Sequence, residues 1–254
     1  MSARRLLSSA CLLLILGGCA RLLPPPREPV AEDARRAIAL LIDRWTAFTD
    51  LRTLVDLQVE RGGEKQQLTG VLLAQGPASL RFEALSPFGA PLLIVVMSEG
   101  RFTVYNAATN EATEAPASAD TAARVLGLPF EPEHLVAAFA GDAVPPRDIR
   151  SAEIVPPDAD GPSLDVIGGD HRQRIWMDFT TGVVHQVQIT GGRYAARITH
   201  HRASDGRPAG FDLTAGEGQV TATARYRDPV VGAGIDPERF RLRLPDGVVR
   251  RPLR

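Results

Sequence analysis

The 254-residue sequence predicts a mainly β fold with some α. About eleven antiparallel strands would curl into an unclosed barrel, with a helical lid enclosing an apolar cavity. Three observations carry that expectation. From Thr53 onward, apolar residues recur at every second position in stretch after stretch, the period of a strand with one buried face. Glycine-containing steps separate these stretches, as tight antiparallel turns require. Only three segments show helical spacing, too few to cover so much one-sided sheet from outside. The sheet must therefore curl on itself, with helices in or across its mouth.

The N-terminus comes first. Residues Met1–Cys19 open with Arg4-Arg5, continue as an apolar stretch from Leu6 to Leu16, and close on Leu16-Gly17-Gly18-Cys19. A charged start, a short apolar core and small residues before a cut site describe a secretory signal over residues 1–18. The stretch is shorter than the roughly 20 residues a bilayer-spanning helix needs. Its Leu-Gly-Gly-Cys ending resembles a bacterial lipobox, which implies cleavage before Cys19 and acylation of that cysteine. Cys11 would leave with the signal, so no free thiol would remain to form a disulfide. Several acyl chains, at about 0.8 kcal/mol per buried methylene, would anchor the chain in membrane lipid. In the lipoprotein sorting of enteric-type bacteria, aspartate after the cysteine signals inner-membrane retention. Alanine at position 20 thus implies an outer-membrane anchor with the domain facing the periplasm. Residues 19–30, with Pro24-Pro25-Pro26 and Pro29, read as a stiff tether.

One domain is expected over residues 31–254. A helix from about Ala31 to Thr49 places Ala34, Ile38, Leu41, Ile42, Trp45 and Phe48 on one stripe. The period then changes to two. Thr53, Val55, Leu57 and Val59 form one strand face, Gly62-Gly63 turns the chain, and Leu68, Gly70, Leu72 and Ala74 return. Leu80, Phe82 and Ala84 follow, then the fully apolar Leu92–Met97, then Phe102 and Val104. Two short helices intervene. One is capped by Ser118 and stopped by Gly127. The other runs from about Pro132 to Ala140 and stops at Gly141. Pro145–Pro162 reads as a surface loop.

Alternation then resumes through Leu164 and Val166, Ile175 to Phe179, Val183 to Ile189, Tyr194 to Ile198, Phe211 and Leu213, and Val220 to Tyr226. Phe240, Leu242 and Leu244 close the series.

Composition excludes several functions. Basic residues number 29 and acidic ones 30, so no charge excess points to nucleic acid. Lys65 is the only lysine, and no phosphate-binding loop, Gly-x-Ser-x-Gly elbow or His-Glu-x-x-His pattern occurs. His200 and His201 are strand neighbours and point to opposite faces, so they are poorly placed to share a metal. His185 falls on the apolar face of its strand. Asp165, Asp170 and Asp178 could meet across strands as paired carboxylates, although scattered surface acids are commoner. The expectation is a monomeric binding protein: not an enzyme, with no metal and no cofactor.

One turn stands out. Leu85-Ser86-Pro87-Phe88-Gly89-Ala90-Pro91 puts a phenylalanine at a turn tip, where it meets either the core or a partner such as a membrane. This turn belongs to a wider resemblance. Leu80-Arg-Phe-Glu-Ala-Leu-Ser-Pro-Phe-Gly89, Gly100-Arg-Phe-Thr-Val-Tyr105, Leu126-Gly-Leu-Pro129 and Leu135…Gly141 resemble the outer-membrane lipoprotein receptor family LolB. The tail Asp236-Pro-Glu-Arg-Phe240…Pro245-Asp-Gly247-Val248 is similar to the soluble carrier family LolA. Between Ile149 and Asp228 the match is by strand pattern alone.

The resemblance implies a receptor that accepts lipoprotein acyl chains from a periplasmic lipoprotein carrier and inserts them into the outer membrane. Pro87, Phe88 and Gly89 would form its membrane-insertion loop. The family carries an exposed leucine where this sequence has Phe88. Leu80, Phe82, Phe102, Ile175, Met177, Val187 and Ile198 would wall the acyl-chain cavity, with Leu135 and Phe139 in its lid. Other branches of the superfamily sense lipoproteins or glycolipids without transferring them.

Overall fold

Helix α1 (Glu32–Ala47) forms where the apolar stripe runs, with Glu32 and Asp33 favourable in its first turn and Arg44 in its last. It leads into a single sheet. Its strands are β1 (Asp50–Arg61), β2 (Glu64–Gln75), β3 (Ser79–Leu85), β4 (Pro91–Ser98), β5 (Arg101–Asn106) and β6 (Glu111–Pro116). Helices α2 (Ala119–Leu126) and α3 (Pro132–Ala140) then intervene. The sheet resumes as β7 (Ser151–Asp158), β8 (Gly161–Ile167), β9 (Arg172–Met177), β10 (Val184–Thr190), β11 (Ala196–Arg202), β12 (Pro208–Ala215), β13 (Val220–Val231) and β14 (Val249–Pro252). This computed structural model describes residues 30–128, 130–192 and 195–252. The signal peptide, Cys19, the tether up to residue 29, Pro129 and Tyr194 lie outside the described residues.

The strand order is β14-β6-β5-β4-β3-β2-β1-β13-β12-β11-β10-β9-β8-β7. Both halves of the chain are meanders, and they meet where β1 pairs with β13. The edges β14 and β7 are not paired with each other, so the curled sheet stays unclosed. There are 14 strands among the described residues rather than about eleven. The extra ones have physical causes. Glu111–Pro116 carries little apolar alternation and pairs as a hairpin with β5. Ser151–Asp158 lies inside the segment expected as a surface loop, yet it pairs with β8 as an edge strand, where Pro156 and Pro157 are tolerated. Val249–Pro252 pairs with β6 in parallel, an exception to the antiparallel expectation.

The tail differs as well. Phe240, Leu242 and Leu244 do not form a strand. Pro237–Phe240 is a short 3-10 turn. Leu242, Leu244 and Val248 then lie on the outer face of β4 and β5, against Ile94, Val96, Tyr105 and Ala112. That cover makes β4 buried on both faces and accounts for its unbroken apolar run. His185 is a further correction. The β9–β10 pairing shifts between Val184 and Gln186, which turns His185 out to an exposed position.

The helices end where expected. Ser118 accepts the Thr121 backbone N–H at 3.2 Å, and Gly127 adopts φ 72° after the last turn of α2. Pro132 opens α3, and Gly141 closes it at φ 78°.

Candidate functional site

Two features mark the molecule: an apolar interior packed against α3 and α1, and an exposed apolar turn. Helix α3 is not a lid over a hollow. From Leu135 to Ala140 it is buried throughout, inside the curl of the sheet. The Phe139 ring meets Phe211 edge-on, with centroids 5.3 Å apart. Tyr226 Oη donates to the Phe139 carbonyl at 2.8 Å, and burial pushes the Tyr226 phenol up. Arg202 Nη2 donates to the Gly141 carbonyl at 2.5 Å. Trp45 Nε1 donates to Glu133 at 3.0 Å. These bonds fix both ends of α3.

The expected cavity residues are all buried, but they divide between two clusters. Leu80, Phe82, Phe102, Leu135, Phe139 and Ile198 join one cluster with α3, strands β1–β5 and strands β11–β13. Ile175, Met177 and Val187 join a second, capped by Ala34, Ala37, Ile38 and Leu41 of α1. Between α3 and Val187, Ile189 and Ile198 only a slit of about 20 Å³ remains. The first cluster encloses a cavity of about 50 Å³, lined by Val55, Leu57, Val59, Leu80, Phe82, Leu126, Leu128, Phe139, Phe211 and Ala222. Ligand sites for drug-sized molecules are usually ~300–1,000 Å³. Among the described residues, these two spaces are apolar and too small for such a ligand in this conformation. Val55, Leu57, Val59, Phe211 and Ala222 belong to the cavity wall and are missing from the expected set. Their alternation marks them as core residues, but which strands α3 would face is not written in it.

Helix α2 is the lightest cover. It buries only Thr121 and Ala122. Leu126 and Leu128, at its C-terminal end, lie over the 50 Å³ cavity. A Cβ at Gly127 would stand 3.9 Å from Val220, which pairs with Arg61 beside the β1–β2 turn. The end of α2 therefore sits at the β1–β2-turn end of the sheet.

Phe88 projects from the β3–β4 turn and is 97% exposed. Ser86 accepts the Gly89 backbone N–H at 2.9 Å, and its hydroxyl accepts from Ala90 at 3.1 Å. Gly89 adopts φ 82°, which closes the turn without a side-chain clash. Every residue from Pro87 to Leu92 is apolar and exposed. Strands β1 and β3 both run antiparallel to β2, so this turn leaves the sheet at the same end as the β1–β2 turn. The exposed turn and the α2-covered cavity share one end of the molecule.

The expected catalytic possibilities do not assemble. Asp165 is bound by Arg172. Asp170 contacts His171 at 2.8 Å. Asp178 accepts the Thr180 and Thr181 backbone N–H groups, which holds its carboxyl below the usual range. His200 points inward and His201 outward, where it meets Asp212 at 2.7 Å. No group of three metal-ligating side chains converges among the described residues.

No protein-family model matches the sequence, and no curated protein sequence does either. Solved structures do match. A domain described as an outer-membrane lipoprotein-sorting protein from Vibrio parahaemolyticus superposes with a TM-score of 0.55 at 12% identity, covering 82% of this chain and 97% of that one. A DUF1329-family protein from Desulfovibrio piger gives 0.55 at 13%, covering 84% and 98%. A LolA-superfamily protein from Nitrosomonas europaea gives 0.50 at 10%, covering 78% and 93%. At these identities the likeness is one of fold. What this chain shares with them is an architecture, an unclosed, mostly antiparallel sheet wrapped around helices.

Proposed function

We propose that this chain is an envelope lipid-binding lipoprotein, anchored through acylated Cys19, that accepts lipoprotein acyl chains and delivers them to the outer membrane. The observation that carries this reading is the exposed apolar turn Pro87–Leu92, with Phe88 at its tip, beside the α2-covered interior. Large exposed apolar groups are unfavourable in water unless a partner or membrane covers them.

The physics of the cargo sets the mechanism. Three acyl chains of about sixteen carbons carry roughly 35–40 kcal/mol of unfavourable exposure at 0.8 kcal/mol per methylene. Such cargo must pass from one apolar site to another. The sequence holds no nucleotide-binding motif, so transfer from a periplasmic carrier runs downhill in affinity. The closed interior has about 50 Å³ free, so entry requires α2 to lift away with Leu126 and Leu128. An acyl chain would then lie along Val55, Leu57, Val59, Leu80 and Phe82, with Ile198 and the α3 face beyond. Phe88 touches the bilayer at release. The apolar lining of the interior also supports a second reading, in which the domain captures a lipid or glycolipid without passing it on.

The test separates the two. Phe88→Glu should reduce insertion of a triacylated lipoprotein into phospholipid vesicles by about tenfold or more and leave its capture from detergent unchanged. Full insertion by the variant defeats the transfer reading. Absence of captured lipoprotein with the wild-type protein defeats both.

A further inference from the structure

A wider space than the interior lies elsewhere. A groove of about 640 Å³ runs beneath the C-terminal half of α1. It opens among the β9–β10 turn, the β11–β12 turn and the end of β13. That is the end of the sheet opposite the Phe88 turn. Leu40, Ala47, Phe48, Val183, Pro208 and Val231 make its apolar walls. The volume falls in the size class of one drug-sized ligand, hence of a single alkyl chain.

One side of the groove is charged. Arg44 Nε donates to Asp142 Oδ1 at 2.5 Å. Arg202 stands 3.7 Å from the same carboxylate. The Asp205 carboxylate is engaged by Arg207, and Asp43 lies at the exposed outer rim. Buried Asp142 therefore serves two guanidiniums. Arg202 Nε is buried and has no acceptor. Burial, and then the neighbouring Arg44 charge, both work against the Arg202 cation. An incoming oxyanion would supply the missing acceptor and a second negative charge, and charge-assisted bonds of this kind are the strong ones.

We propose that this groove binds an anionic single-chain amphiphile. Its carboxylate or phosphate headgroup would lie at Arg44 and Arg202, and its chain along Leu40, Phe48 and Val231. The site is separate from the α2-covered interior and does not require Phe88 or any movement of α2.

Calorimetric titration of the purified protein with decanoate, decyl phosphate and uncharged decanol tests it. One anionic ligand should bind per chain, about tenfold tighter than decanol. Preference for decanoate or for decyl phosphate then tells a fatty acid from a phospholipid-derived ligand. Arg44→Gln should erase the preference over decanol. Ala47→Trp fills the groove without touching the charges and should abolish binding of all three. Ala222→Leu fills the interior cavity and should leave decanoate binding unchanged. Equal affinity for decanoate and decanol overturns the proposal. So does loss of binding in Ala222→Leu but not in Ala47→Trp. Dimerisation that Ala47→Trp abolishes and decanoate does not compete with would assign the groove to a second copy, and also overturns it.

Discussion

His200 is buried on β11 with neither ring nitrogen hydrogen-bonded. Burial, followed by the Arg202 charge, lowers its pKa to about 3, so it stays neutral. Its apolar setting gives it packing but leaves two polar atoms unsatisfied, each an unfavourable term of about 1–3 kcal/mol. His200→Leu keeps much of the volume and removes both. We expect the midpoint of urea unfolding to rise, by an amount equivalent to about 1–2 kcal/mol. A lower midpoint would mean that the ring's packing outweighs its desolvation. In sequence, His200 and His201 are indistinguishable apart from their alternation. That alternation correctly sends them to opposite faces. It fails at His185, because a one-residue shift in pairing has no signature in composition.

At the scale of elements, β2 and β3 approach closely at Gly70. A Cβ there would lie 2.2 Å from the Glu83 carbonyl oxygen and 2.8 Å from the Phe82 ring. The missing side chain is what lets Phe82 cover the strand. Gly70→Ala should therefore destabilise the fold by about 1–3 kcal/mol, read by thermal unfolding. An unchanged melting temperature would show that the strands can part without strain. Helix α2 answers to a different control. Ser118→Ala removes its cap and should weaken it by about 1 kcal/mol. Faster amide exchange in residues 119–126 and faster acyl uptake should follow together. Exchange that rises without faster uptake would show that α2 does not gate the interior. Both helix ends near Ser118 and Gly127 were legible because caps are local chemistry. The strand Ser151–Asp158 was not, because its prolines mimic a loop and only its edge position permits them.

For the whole molecule, buried His200 and half-buried His134 set the acid response. His134 is lowered to about 4, chiefly by burial and then by the His171 charge, and His200 to about 3. The unfolded chain takes up these protons near pH 6.5 and the folded chain refuses them. Stability is therefore complete above about pH 6.5 and declines as pH falls toward 4. The slope is about 1.4 kcal/mol per pH unit for each histidine. Urea titrations at pH 7.5, 6 and 5 check this, and His200→Leu should roughly halve the slope. Equal stability at all three pH values would contradict the lowered pKa of both rings.

The amino-acid order by itself determined most of the elements: the one-sided strands, three helices, the ends of the two short ones, a conspicuous Phe88 turn and a lipobox-like start. These rest on short-range chemistry, in which each residue's neighbours decide the backbone. Only the tertiary structure decided what fills the curl. Apolar positions that line a hollow and those that pack a core have the same alternation. Leu80 and Ile175 thus look equivalent in sequence, yet Leu80 packs in the cluster of α3 and Ile175 in that of α1. The groove under α1 was equally hidden, because Arg44, Asp142 and Arg202 meet only when distant turns converge at one end of the sheet.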